Sequence, residues 1–161
     1  MAKLHEFRAA NAISTGTTTP TEDFIGTDLE HVLDFDDTTA WKCIFPFNLD
    51  PAYAGGGVNC VLTASFSVEN VAAETATMGI ERAIVDDTDD THSWATVVEV
   101  DHVPSTTLGN TSTATIALSH AEMGSPSGGE EMRFRFGRRP ADADDTATGD
   151  YEFLSIVVSD Q

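Results

Sequence analysis

The chain has 161 residues, 40% of them apolar, which is enough for one domain with a real core and too apolar for a disordered chain. Twenty-seven acidic residues against eight basic ones give a net charge of −19. This excludes sequence-independent binding of nucleic acid or of an anionic membrane. Lys3 and Lys42 are the only lysines, and a surface rich in Asp and poor in Lys suits brine, where the Debye length falls to ~3 Å at 1 M salt.

In chain order, residues 1–9 read as a first short strand within an N-terminal arm spanning 1–30. The opening "MAKLHEFRAANA" has no apolar signal-peptide core, so a soluble protein without a secretion signal is expected. Residues 10–30 are small and polar with Gly and Pro, the composition of an arm or long loop. The sandwich domain then takes 31–161. "HVLDF" (31–35) is a short strand, and "WKCIFPF" (41–47) places Trp41, Cys43, Phe45 and Phe47 on one face. The stretch 58–68 alternates Val58, Cys60, Leu62, Ala64, Phe66 and Val68 against small or polar residues, as a half-buried antiparallel strand does.

"ATMGIERAIV" (76–85) has helix-favouring residues, but Gly79 and the alternation of Ala76, Met78 and Ile80 favour a strand. Strands follow at 93–103, 112–119, 131–139 and 150–159. "SHAEMG" predicts one short helix, with Ser119 and Glu122 at capping-box spacing and Gly124 ending it. The run "FLSIVV" is too short to span a bilayer. Eight or nine strands, regular turns and one short helix predict an all-β antiparallel sandwich of jelly-roll type.

Few residues read as sites. Gly55, Gly56 and Gly57 precede a strand, not a helix, and no Lys-Ser or Lys-Thr follows, so they form a structural corner rather than a phosphate loop. Pro51 and Tyr53 are expected to fix that corner. Cys43 and Cys60 fall on apolar strand faces and read as buried free thiols, with a disulfide as the alternative. The acidic runs read as solvated loops. A structural Ca²⁺ or Mg²⁺, if one is held, is assigned to Asp86, Asp87, Asp89 and Asp90; no other metal and no cofactor is expected. Four of the six arginines, Arg133, Arg135, Arg138 and Arg139, lie within seven residues. They are candidates for docking against an acidic neighbour, or for pairing with acids on adjacent strands. The five histidines show no zinc spacing, "GSPSG" (124–128) carries Pro126 where a nucleophile would stand, and no catalytic constellation rises above background, so no enzyme is expected.

The segments Pro51–Gly57, Glu81–Arg82, Gly129–Arg135, Asp145–Thr146 and Gly149–Glu152, in that order, resemble a family of small all-β virion proteins of tailed viruses of bacteria and salt-loving archaea. The resemblance spans roughly residues 31–159 and departs at "FGRRP", where a simpler Arg-Asp turn is usual, and in its lack of lysine. It implies a structural role on the virion: a capsid decoration or turret subunit made in the host cytoplasm, trimeric to match local threefold positions, with the N-terminal arm and Arg133, Arg135, Arg138 and Arg139 anchoring it to the major capsid protein or to sister subunits. The alternative is a tail- or spike-associated receptor- or carbohydrate-binding sandwich. Such a module needs an exposed aromatic platform, and Trp41 and Trp94 both read as facing the core.

Overall fold

The computed structural model describes residues 3–14, 19–25, 30–66, 74–85 and 93–161. Two antiparallel sheets face each other. The six-stranded sheet contains β1 (Lys3–Arg8), β3 (Thr21–Ile25), β4 (Glu30–Phe35), β6 (Val58–Phe66), β9 (Ser112–Leu118) and β11 (Tyr151–Asp160), in the order β3-β4-β11-β6-β9. The five-stranded sheet contains β2 (Ile13–Ser14), β5 (Lys42–Asn48), β7 (Ala76–Ile84), β8 (Val98–His102) and β10 (Glu131–Arg138), in the order β2-β5-β10-β7-β8. Strand β11 is long enough for β4 and β1 to share one of its edges, β4 pairing with Tyr151–Phe153 and β1 with Ser155–Ser159.

The core is the pair of inner faces that period-two alternation predicts. From the five-stranded sheet come Cys43, Phe45, Phe47, Ala76, Met78, Ile80, Met132, Phe134 and Phe136; from the six-stranded sheet come Leu33, Phe35, Val58, Cys60, Leu62, Ile116 and Leu118. In β11 the alternation changes phase. Tyr151 and Phe153 face inward, the register slips between Phe153 and Ser155, and Ile156 and Val158 take over the inner face. One extra residue in the strand lets ten residues keep their apolar set on one side. Cys43 and Cys60 are free thiols. Burial pushes the Cys60 thiol up to about 12, which leaves both the thiol form and its inertness intact at neutral pH.

Three expectations need correction. The strand expected within 1–9 is present as β1, but the stretch 10–30, read as arm or loop, supplies β2 and β3, and Phe7 and Ala9 are core residues. Its Thr-rich, polar sequence is that of edge strands, which bury little. The short helix at 119–124 is a single turn: Met123 N–H donates to Ser119 O at 3.0 Å and Ser125 N–H to His120 O at 2.8 Å. The capping box is nonetheless complete, with Ser119 N–H and Oγ donating to Glu122 Oε2 at 2.8 and 2.6 Å and Glu122 N–H to Ser119 Oγ at 3.2 Å. Gly124 and Ser125, at φ 86° and 56°, stop it before a second turn. Finally, the strand expected over 93–103 begins only at Val98.

The glycine corner is structural. Tyr53 N–H closes a turn on Asp50 O at 2.8 Å with Pro51 inside it, and the Tyr53 hydroxyl donates to Gly56 O. Gly55 and Gly56 have φ of 82° and 141°, which side chains rarely adopt. At Gly57 the limit is space, because a Cβ there would lie 2.5 Å from the Leu118 carbonyl oxygen. Gly57→Ala should therefore cost about 1–3 kcal/mol in urea unfolding, through displacement of β6 from β9. A loss below about 0.5 kcal/mol would mean that the corner is not tightly packed.

Candidate functional site

On the outer face of the five-stranded sheet, the odd-numbered residues of β10 stand opposite those of β7. Arg135 pairs with Glu81 across the strands, and its Nε and Nη2 donate to the two carboxylate oxygens at 2.7 and 2.8 Å. Lys42 on β5 reaches the same carboxylate at 2.9 Å. Burial alone would raise the Glu81 pKa, but hydrogen bonds from Arg135 and Lys42 outweigh it and hold the carboxyl below its usual range. Arg139 pairs with Glu99 on β8, Arg133 with Glu131 at 3.4 Å, and Thr77 Oγ1 donates to Asp101 Oδ1 at 2.9 Å.

Over this lattice stands Trp94. Its ring centroid lies 4.4 Å from Arg135 Cζ, a cation–π contact, and the side chain is only partly buried and outside the core cluster. Trp94 thus corrects the expectation that both tryptophans face inward. Trp41 does pack against the core. Extending the inward phase of Val98 and Val100 back along the chain assigns Trp94 to the interior. The strand has not begun at that point, and the strap 93–97 runs along the edge of β7 with Ala95 N–H donating to Arg82 O at 2.9 Å.

The four arginines expected to form one patch divide. Arg133, Arg135 and Arg139 lie on the outer face, each paired with an acid. Arg138 has a side chain 0% exposed and is an interior residue, not a docking contact. It grips Asp145 with two bonds, Nε–Oδ2 at 2.9 Å and Nη2–Oδ1 at 2.7 Å, donates from Nη1 to Gly149 O at 2.6 Å and from Nη2 to Ala147 O, and so ties down the loop after β10. Asp86, Asp87, Asp89 and Asp90 lie outside the described residues.

Among the described residues, Asp36, Asp37 and Asp150 bring carboxylate oxygens within 4.8 Å of one another. They offer a hard cation oxygen ligands. Part of that capacity is already used: Asp36 Oδ1 accepts from the Thr38 and Thr39 N–H groups, and Asp37 Oδ2 from Gly149 N–H at 3.1 Å. Two further polar clusters escaped the sequence because their members are far apart along it. In the first, His102 Nδ1 and Nε2 share hydrogen bonds of 2.9 Å with Tyr151 OH and Ser112 Oγ. Burial lowers His102 to about 4, so the ring is neutral and links β8 of one sheet to β9 and β11 of the other. At 2% exposure it meets no substrate, and this Ser–His pair serves cohesion.

In the second cluster, Asp34 and Glu152 face each other on β4 and β11. Burial, then the charges of Asp23, Glu152 and Asp150, raise Asp34 to about 7. A carboxyl raised in the folded state stabilises fully below its unfolded pKa of about 4, and that contribution is lost as pH rises through 7. Unscreened, the difference is worth about 4 kcal/mol; part exposure reduces it to about 1–2 kcal/mol. Asp34→Asn should therefore raise stability by about 1–2 kcal/mol at pH 8 and change little at pH 4. His102 has the opposite sign, since its contribution is lost as pH falls through 6.5 toward 4, but it is common to both proteins and cancels in the comparison. Equal gains from Asp34→Asn at the two pH values in urea unfolding would refute this account of Asp34.

A cleft of about 500 Å³ opens beside the strap, lined by Arg82, residues 95–98, Ala121 and Glu122. No helix among the described residues is long and apolar enough to cross a membrane.

No protein-family model matches the sequence, and no curated relative does. Solved structures with a similar fold do exist. The family 35 carbohydrate-binding module from Clostridium thermocellum superposes with a TM-score of 0.59 at 8% identity, covering 96% of this chain and 98% of that one. The C-terminal CBM6 of the laminarinase LamC from Zobellia galactanivorans gives 0.54 at 8% identity, with the same two coverages. The xylan-binding module CBM15 gives 0.51 at 13% identity, covering 99% and 97%. These three are carbohydrate-binding modules, not virion proteins. Of the resemblance drawn from the sequence, the all-β sandwich stands, and the comparisons establish the fold of this chain as a jelly-roll antiparallel sandwich.

Proposed function

We propose that this chain is a non-catalytic carbohydrate-binding sandwich, and that the outer face of its five-stranded sheet takes the sugar. The observation that carries the reading is Trp94, a part-exposed indole held over Arg135 above the Lys42–Glu81–Arg135 lattice. A pyranose has apolar C–H faces that stack on an aromatic ring and hydroxyls that bond to fixed polar groups, and this face offers both. Ion pairing holds Glu81, Lys42 and Arg135 in place before any ligand arrives, which reduces the entropy lost on binding. The fold shared with modules described as carbohydrate-binding or xylan-binding supports the same reading.

The virion-decoration reading anchors the chain through its N-terminal arm and through arginines that engage an acidic partner. Arg133, Arg135, Arg138 and Arg139 are all paired with acids of this chain, which favours the glycan reading over docking by that patch. The two readings are compatible if a virion carries the module to a glycosylated surface.

Titration calorimetry against soluble xylan and laminarin, in 1 M NaCl, tests the proposal. At least one polysaccharide should bind, and Trp94→Ala should weaken it tenfold or more while leaving the unfolding midpoint close to wild type, because Trp94 lies outside the core. Undiminished binding by Trp94→Ala would remove the site from this face.

A further inference from the structure

Five of the six arginines are ion-paired: Arg8 with Glu6, Arg133 with Glu131, Arg135 with Glu81, Arg138 with Asp145 and Arg139 with Glu99. Among the described residues Arg82 is the arginine without an acid partner, in a chain where acids outnumber bases 27 to 8. Its position explains this. Nε donates to the Glu122 carbonyl oxygen at 3.0 Å, which fixes the guanidinium plane. The rest of the group lies flat on Gly124, where a Cβ would stand 2.5 Å from Arg82 Cζ and 2.7 Å from both terminal nitrogens. The acid on the same turn, Glu122, forms no ion pair with Arg82; its carboxylate accepts from the N–H and hydroxyl of Ser119. The result is a fixed guanidinium on the wall of a cleft of about 500 Å³, lined otherwise by residues 95–98, Ala121 and Glu122, whose carboxylate is engaged by Ser119. That volume lies within the range of small-ligand sites.

We propose that this cleft is a subsite for a carboxylate-bearing sugar, a uronate residue, with Arg82 as the group that recognises the carboxylate. The inference rests on the glycan-binding reading above and adds a ligand class to it. A carboxylate is planar with two oxygens, and matches two N–H groups along one edge of a guanidinium, as a hydroxyl cannot. The strap links this subsite to the proposed platform, since Trp94 immediately precedes the cleft-lining residues 95–98. The net charge of −19 repels acidic sugars at long range in dilute buffer, and concentrated salt reduces that repulsion to a few ångströms while leaving the contact inside the cleft.

Calorimetry in 1 M NaCl would compare trigalacturonate with its carboxyl-reduced, neutral counterpart on the whole chain. The wild type should bind the acid form at least tenfold more tightly. Arg82→Gln should erase the difference while retaining neutral-sugar binding, which also shows that the variant is folded. Arg82→Lys, a point charge without the fork, should keep only part of it. Equal affinity of the wild type for the two trisaccharides, or an intact preference in Arg82→Gln, would overturn the subsite and leave the sugar platform standing. Failure of the wild type to bind acidic or neutral sugars of any kind would overturn both.

Discussion

Replacing Arg138 with alanine should lower the free energy of unfolding by about 3–5 kcal/mol. The size follows from what the substitution leaves behind. Asp145 has a side chain only 2% exposed, and apart from Arg138 its carboxylate accepts the Thr77 N–H at 3.0 Å. Without Arg138 it is a buried charge with one neutral donor, and the carbonyls of Ala147 and Gly149 lose a donor each. The loop holding Thr146, whose hydroxyl accepts the Thr75 N–H at 3.0 Å, should loosen with it. Arg138→Met paired with Asp145→Leu should recover much of the loss, because removing both charges is far less costly than stranding one. Urea unfolding of the two variants measures this. An Arg138→Ala effect within 0.5 kcal/mol, the range of an ordinary surface substitution, would mean that the residue is not interior.

The other large effect is expected at Phe153. It is fully buried on the central strand β11, with ring centroids 5.0 Å from Phe136 and 5.7 Å from Phe45 of the opposite sheet and 6.3 Å from Phe35 of its own. Phe153→Ala removes the ring about which the two sheets interlock and should cost about 3–5 kcal/mol, while Phe153→Leu should cost much less by keeping most of the volume. Both are read from the urea midpoint at constant m. A change in m would show that the sandwich had loosened rather than merely lost contacts. Equal costs for Ala and Leu would mean that volume is not what this position contributes.

The two positions also show what the sequence could and could not convey. Alternation in β10 assigns Met132, Phe134 and Phe136 to the core, and the same even phase carries on to Arg138. The alternation therefore marks Arg138 as interior, whereas its clustering with Arg133, Arg135 and Arg139 points to a surface patch. Its partner Asp145 stands seven residues later, beyond any local pairing rule. In β11 the alternation of Tyr151 and Phe153 does not foretell the phase change before Ile156, because a bulge is set by pairing with β6 rather than by composition. Trp94 precedes the first residue of β8, so strand alternation does not place its side chain. The edge strand β3 reads as a loop because Thr21, Glu22 and Asp23 have no apolar alternation to show. The glycine corner, by contrast, was plain, since three glycines before a strand have few other uses.

The two sites differ in the same way. Arg135 and Glu81 sit opposite each other by register, and a correct pairing of β7 with β10 would have predicted their contact. Arg82 needed the fold: its isolation depends on Glu122 being held by Ser119, and its placement on Gly124 being bare. Neither condition is a motif.

The central claim, that Trp94 and the charged lattice beneath it form a sugar platform, is tested most directly by following the two tryptophan indole N–H resonances during titration with soluble xylan or oligogalacturonate. Trp94 should shift in proportion to saturation while Trp41, packed against the core, stays in place. If both resonances remain fixed at every sugar concentration, the platform does not exist.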